Sequence, residues 1–321
     1  MIKGNNIVTG VGSYLPERVV TNDELARKID TSDEWIKERS GIRQRHIAAE
    51  GEYTSDLGVA AARRAIEDAN MSVNDLDLII VATTTPDLTF PSTASIIQEK
   101  LEMRHGAAFD IQAVCSGFIY ALHIADSMLR AGPYKNALVI GAETFSRILD
   151  WEDRSTCVLF GDGAGAMVLS TANDSDSGII ANFIRSDGRY CDLLYVDGGP
   201  SRTQSVGHVR MVGNQVFRRA VKDIAIAMKE CAAIAGIEPK DIDWFVPHQA
   251  NQRILDGVGR QLGLTSEQII STVAHHANTS AASVPLAFDV AMRDGRIKRG
   301  DLVMLEAFGG GFTWGATLLR F

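Results

Sequence analysis

The chain has 321 residues, is 45% hydrophobic and 22% charged, and carries a formal net charge of -8. That length allows about two domains, the composition is that of a globular protein with a large core, and the acidic balance argues against a nucleic-acid binder. Four scattered cysteines (115, 157, 191 and 231) with no CxxC spacing suit a reducing compartment and argue against a disulfide framework or a zinc site.

In chain order, the opening MIKGNNIVTGVGSYLP lacks a continuous apolar h-region. The strongly apolar runs, such as LIIVA (78–82), are far too short to span a bilayer. A cytoplasmic protein is expected. A helical pattern, GVAAARRAIEDANMSVN (58–74), leads into a strand pattern, DLDLIIVATTTPD (75–87). In 107–129, AAFDIQAVCSGFIYALHIADSML, the first part reads as a buried strand, with Phe109, Ile111 and Val114. The second part reads as an apolar helix, with Ile119, Leu122, Ala125 and Leu129 at helical spacing. Cys115 therefore falls at a strand-to-helix turn, where the helix dipole and free N–H groups favour a thiolate. A nucleophile and a small core residue both fit that placement.

The second half repeats this order. AIAMKECAAIAGIEPK (225–240) precedes DIDWFVPHQAN (241–251), so that Asp243 stands 166 residues after Asp77. KNALVIGAE (135–143) matches GDLVMLEAF (300–308), about 164 residues on. Between them lies QIISTVAHHANTSAASVPLAFDVAMRDG (268–295), a second strand-to-helix turn. Alternating strands and helices predict mainly parallel sheets covered by helices, and the repeat divides the chain into 1–172 and 173–321. Equivalent turns of two related halves meet near a pseudo-twofold axis. That brings Cys115 toward His275, His276 and Asn278, and toward His248 at the end of the strand Trp244–Val246. Strand C-terminal ends are where α/β proteins bind ligands.

Two glycine-rich segments remain. FGDGAGAMVL (160–169) lacks a GKS/T ending and reads as a tight turn entering a strand. AFGGGFTWGATLLRF (307–321) reads as a turn between two strands whose N–H groups are open to a developing oxyanion.

From about residue 3 to 321 the chain resembles β-ketoacyl-acyl-carrier-protein synthase III. The motifs are AVCSGF, FGDGAGA, VPHQAN, HHANTSAAS and EAFGGGFTWG, in that order. The resemblance implies an α/β thiolase fold, with two duplicated halves in five αβαβα layers, and a homodimer. It implies a Cys115–His248–Asn278 triad and an oxyanion hole from the Cys115 and Gly310 N–H groups. Trp35 and Arg39 would pack on the coenzyme A adenine with Arg154 on its other side. Thr31, Gly213, Phe217, Ala250 and Asn251 would border the rest of the coenzyme A channel. Phe90 would cross to the partner's acyl pocket. The sequence departs from the family's usual pattern at Val114 (often Ala), His275 (often not His) and Ala277 (often Gly), which touches primer preference more than reaction type.

The implied chemistry is acyl transfer from an acyl-CoA to Cys115. Malonyl-acyl-carrier-protein is then decarboxylated, and its carbanion attacks the acyl-cysteine. No metal or cofactor is required, and coenzyme A enters only as the substrate thioester. Elongating condensing enzymes use two histidines, where this chain has Asn278. Thiolases use a second cysteine, where it has Phe308. Hydroxymethylglutaryl synthases need a glutamate that TTTPDLTFPS (83–92) does not supply. A specialised-metabolism relative with the same triad and another acceptor stays open. Arg218, Arg219 and Lys222, on a helix with the apolar stripe Phe217, Val221, Ile224 and Met228, join Arg253 and Arg260 in a basic patch for an acidic carrier protein. A plain solvated face is the other reading of those charges.

Overall fold

The computed structural model describes residues 5–172 and 176–321. The boundary expected at 172/173 abuts residues 173–175, outside the described residues. The first sheet contains β1 (Asn6–Tyr14), then, after helix α1 (Thr54–Asp68), β2 (Leu78–Ala82) and β3 (Ala107–Ile111). Helix α2 (Gly117–Ala131) leads to β4 (Asn136–Glu143) and β5 (Gly163–Thr171). The strand order is β1-β5-β4-β2-β3. The second sheet starts with β6 (Gly178–Ser186), followed by helix α3 (Gly213–Ala235), β7 (Trp244–Pro247) and helix α4 (Gln252–Leu262). Helix α5 (Ser283–Arg293), β8 (Leu302–Gly309) and β9 (Thr313–Arg320) complete it.

The second order, β6-β9-β8-β7, repeats the first, with a parallel bridge between Phe245 and Ile269 standing where β3 would be. In both sheets the pairs toward the β3 or β7 edge are parallel (β4-β2-β3 and β8-β7), and those toward the β1 or β6 edge are antiparallel (β1-β5-β4 and β6-β9-β8). Register sharpens the repeat. Leu78 pairs with Ala137 and Trp244 with Val303, so the second match also sits at 166, where the sequence suggested about 164.

The strands show why the layers form. Every residue of LIIVA in β2 is buried, as expected for a strand covered on both faces. Leu78, Ile80 and Ala82 pack into a central core with α2 and α5, while Ile79 and Val81 pack outward against Leu57, Ala61 and Ala65 of α1. In β8, Val303 and Leu305 face the same central core, while Leu302 and Met304 face α3. The period of two thus splits each strand between two helical layers. The central helix α2 is apolar nearly all round because it is sandwiched between sheets. The result is the five-layered αβαβα arrangement expected from the resemblance.

The halves differ where β4 meets β5. That connection spans residues 144–162, whereas β8 and β9 are joined by residues 310–312 alone. Among the described residues, no helix is long and apolar enough to cross a membrane.

Candidate active site

Cys115 sits where the sequence placed it. After β3, Val114 takes φ +49°, residues Val114–Ser116 form one tight turn, and α2 begins at Gly117. A β-branched residue at positive φ is sterically costly, on the order of 1–3 kcal/mol. Such a bend lifts the residue after it off the strand line. Opposite, the Gly309–Gly310 turn closes on this bend: a Cβ at Gly309 would lie 2.8 Å from the Cys115 nitrogen. Thr313 Oγ1 lies 3.0 Å from the Ala113 carbonyl and 3.2 Å from that of Gly310, tying the two turns together. Gly310, the residue expected to supply the second N–H, is next in line, against the Leu194 carbonyl.

The thiol is 3% exposed, and burial pushes it up to about 12. The neighbouring Ser280 side chain opposes this, and the Glu143 charge adds to it. The expected helix-induced thiolate is therefore corrected. A rise of this size corresponds to about 4 kcal/mol, and a helix terminus supplies about 0.3–2 kcal/mol. Desolvation wins, and the resting residue is a thiol.

His248 follows β7 and is 5% exposed. Burial holds its imidazole down at about 3, so the ring is neutral. Its Nδ1 lies 2.6 Å from Ser283 Oγ, which also accepts the Gln249 N–H at 3.4 Å. We assign the Ser283 hydrogen to Nδ1, which leaves the ring hydrogen of the neutral imidazole on Nε2. Asn278, 6% exposed, is oriented the same way: Oδ1 accepts the Ser280 N–H at 2.9 Å, so Nδ2 is the end left to donate. Its backbone is held on both sides by the glycine-rich segment. Gly161 N donates to Asn278 O, and Asn278 N donates to Leu159 O, each at 3.0 Å. FGDGAG is thus a splint for Asn278, in keeping with a turn entering β5.

These three side chains share one cavity of about 430 Å³. Its walls include Phe160, Leu194, Phe217 and Phe308, and its mouth carries Trp35, Arg39 and Arg253. Gly213, Ala250 and Asn251 also line it. Asn251 has further duties: its Oδ1 caps α4 through the Arg253 N–H, and its Nδ2 donates to Arg39 O at 2.9 Å. Arg154 stands over Trp35 at 5.3 Å and Arg39 at 4.7 Å. A planar ring between Trp35 and Arg154 needs about 7 Å, two carbon contacts of roughly 3.5 Å. Arg154, ion-paired to Asp30 at 2.9 Å, must swing aside to admit one.

Other predicted residues lie elsewhere. Thr31 is outside the cavity lining, and its buried Oγ1 is unpartnered among the described residues. His275 and His276 do not line the cavity. Phe90 is 82% exposed, away from the cavity. In the basic patch, Arg218, Lys222, Arg253 and Arg260 are exposed, but Arg219 is not a free cation. It bonds Asp223 at 2.6 Å and faces Asp187 at 3.6 Å.

Sequence reasoning missed Ser283 and Glu143; it placed Ser280 in the second turn and Gly309 in the glycine run without giving either its own role. Glu143 is fully buried at the end of β4 and accepts from Thr84 N–H, Thr85 Oγ1 and Ser280 Oγ. A single acid closing the apolar strand KNALVIGAE was the available signal. Ala277 takes φ +58°, ψ -160°, a region that glycine fills at least cost. The departure at Ala277 is therefore a backbone matter before it is a pocket matter. Among the described residues, no cluster of three or more His, Cys, Asp or Glu is placed to hold a metal ion.

Comparison with known proteins gives a consistent picture. The family model described as 3-oxoacyl-[acyl-carrier-protein] synthase III matches residues 109–188, and its C-terminal counterpart matches residues 232–321. The chain is similar to the beta-ketoacyl-[acyl-carrier-protein] synthase III of Rhizorhabdus wittichii, 62% identical over 315 residues, covering 98% of this chain and 99% of the other. The crystal structure of 3-oxoacyl-[acyl-carrier-protein] synthase III from Aquifex aeolicus superposes with a TM-score of 0.94 at 46% identity, covering 98% and 100% of the two chains. The priming beta-ketosynthase from the R1128 polyketide biosynthetic pathway superposes at 0.93 with 36% identity, covering 99% and 96%.

Proposed function

The chain belongs to the 3-oxoacyl-[acyl-carrier-protein] (β-ketoacyl) synthase III family, and from that premise we infer which of its residues carry out the reaction. The protein is an acyltransferase that condenses an acyl-CoA primer with malonyl-acyl-carrier-protein, releasing coenzyme A and CO2 and initiating fatty-acid synthesis. Identity of 62% to a relative named for that enzyme, against 36% to a polyketide priming synthase, favours this setting over specialised metabolism.

One observation carries the assignment of roles. Around Cys115, His248 Nε2 and Asn278 Nδ2 are both turned free as donors because their other ends are engaged. In the first half-reaction the Cys115 sulfur bonds to the thioester carbonyl carbon. The Cys115 and Gly310 N–H groups receive the oxyanion, and the coenzyme A sulfur departs. In the second, CO2 leaves the malonyl thioester, and charge gathers on its carbonyl oxygen. His248 and Asn278 donate there, each such donor being worth roughly 2.7–4 kcal/mol. The carbanion then attacks the acyl-Cys115 carbonyl and releases the cysteine sulfur. A histidine held neutral suits this role, since donation takes no proton away. The chemistry asks for no metal or redox cofactor, and we place it in the cytoplasm, where its thioester substrates are.

We assign the coenzyme A nucleotide to Trp35, Arg39 and Arg154, with Thr31 nearby. The pantetheine arm would run past Gly213, Phe217, Ala250 and Asn251, and the carrier protein would dock on Arg218, Arg253 and Arg260. A homodimer is supported by an uncovered edge. β3 ends the first sheet, its five residues are all half-buried, and Leu88 and Phe90 stand 54% and 82% exposed. Mass spectrometry of the intact protein after incubation with acyl-CoAs of graded length tests the scheme. One acyl group, mapped to Cys115 and lost in Cys115→Ala, is expected; label on Cys157, Cys191 or Cys231 refutes it.

A further inference from the structure

The roles just assigned leave the Cys115 proton without a destination. His248 is bonded to Ser283 at Nδ1, and in the tautomer that donates to the enolate its Nε2 already carries the ring hydrogen. Glu143 is differently placed. It is fully buried, and its carboxylate lies 3.0 Å from Ser280 Oγ. The turn Ser280–Ala282 packs against the turn Val114–Ser116 that carries Cys115, and the Ser280 side chain pulls the thiol down against burial. Ser280 is held at φ +49°, a costly conformation for a residue with a side chain, in the turn that lies between sulfur and carboxylate.

Among the described residues, the groups bonded to Glu143 are uncharged. β2 leads into Thr83, Thr84 and Thr85, whose hydroxyl and N–H groups donate to the carboxylate. β5 presents Gly163 opposite it, and the turn at Ser280–Ala282 presents Ser280 and Ala281. Asp162, next to Gly163, is turned to Ser146 and the Ala48 N–H. Cys115 is the titratable group that faces Glu143. Burial lifts Glu143 to about 7, while Thr85, Thr84 and Ser280 pull it down, so near neutrality it exists in both forms.

We propose that Glu143 stores the Cys115 proton, reached through the Ser280 hydroxyl, for the lifetime of the acyl-enzyme. As the sulfur bonds to the thioester carbon, its proton passes to Ser280 Oγ and the Ser280 proton to the Glu143 carboxylate. The coenzyme A sulfur leaves with the electron pair of the broken C–S bond and is protonated by solvent at the mouth. When the carbanion displaces the cysteine, the sulfur regains the pair, and the proton returns by the same two steps.

The inference rests on Cys115 being the acylated residue, and the experiment separates the two. Rapid-quench mass spectrometry follows acetylation by acetyl-CoA from pH 5.5 to 8.5 in the wild type, Glu143→Gln and Ser280→Ala, with malonyl-thioester decarboxylation measured alongside. Ser280→Ala keeps the backbone N–H that holds Asn278, so it carries the test by itself. Wild-type acylation is expected to rise with pH through an inflection near 7. Both variants lose the inflection and slow about 10²-fold, the usual scale of a lost proton acceptor, while decarboxylation stays within a few fold. A retained inflection, unslowed acylation, or equal loss in both half-reactions overturns the relay. A wild type that is not acylated at Cys115 overturns the underlying assignment instead.

Discussion

Ser283→Ala probes the donor role of His248 without touching the imidazole. The residue is 1% exposed at the start of α5, and its hydroxyl is 2.6 Å from Nδ1. Alanine fits the helix and leaves Nδ1 buried without a partner, at a cost of about 1–3 kcal/mol. The ring is then free to move its hydrogen to Nδ1, where it can reach no oxyanion. Part of that cost falls on the fold and the rest on the decarboxylation barrier, where each 1.4 kcal/mol is about tenfold in rate. A 5- to 100-fold loss of malonyl decarboxylation is expected, with acylation of Cys115 by acyl-CoA changed less. Decarboxylation should also show no histidine inflection between pH 5 and 8, because burial keeps the ring neutral down to about 3. The assay is CO2 release beside intact mass. Decarboxylation within twofold of wild type, or losses equal in both half-reactions, would refute the reasoning.

Four further outcomes are expected. Ala277→Gly relieves the φ +58° backbone, worth about 1–3 kcal/mol against roughly 0.5–1 kcal/mol of added chain entropy; thermal unfolding should show equal or higher stability, and a clear loss contradicts the strain. Glu306 is fully buried, with both carboxylate oxygens unpartnered among the described residues, and burial raises it well above the ordinary carboxylate range. The folded state binds its proton more tightly, so the stability it permits is full below about 4.5 and falls as pH climbs toward the folded value; Glu306→Gln should gain in Tm over wild type from pH 5 to pH 8, and a constant gap counts against it. Arg253→Glu should raise the apparent KM for malonyl carrier protein, less so in high salt, with little change in acylation by acyl-CoA; equal changes in both point to a coenzyme A defect. Phe90→Ala should shift the chain-length preference seen in the acyl-CoA panel, and a fully active monomer by sedimentation rules out the shared pocket.

That Cys115, His248 and Asn278 share a cavity was legible because each sits in a motif, Cys115 and His248 just past strands, and a repeat at 166 residues lets equivalent segments be overlaid from sequence alone. Their supporting residues were not. Ser280 reaches Glu143 across 137 residues, and Ser283 reaches His248 across 35; such pairs follow no helical or strand period. Burial was equally hidden. The helix start predicted a thiolate, but it takes the enclosure of Cys115 to set the larger, opposing effect. Positive φ at Val114 and Ala277 turned two departures in residue type into features of the backbone. Arg219 read as a surface cation although Asp223, four residues on in the same helix, was a legible partner; Asp187, from a distant segment, was not.

The unequal connections between the antiparallel strands divide the labour of the duplicated halves. The segment from 144 to 162 contributes Val158, Leu159 and Phe160 to the cavity wall and sends Arg154 to the Trp35 ring. Its counterpart at 310–312 is three residues long and follows directly on Gly309, which closes on Cys115. Insertions, deletions and drift can therefore accumulate in the long segment and reshape what is admitted, while the short one, pinned to the nucleophile, has no room to vary. New primer preferences should be sought by diversifying 144–158, short of the Leu159–Gly161 splint on Asn278, with the condensing chemistry left where it stands.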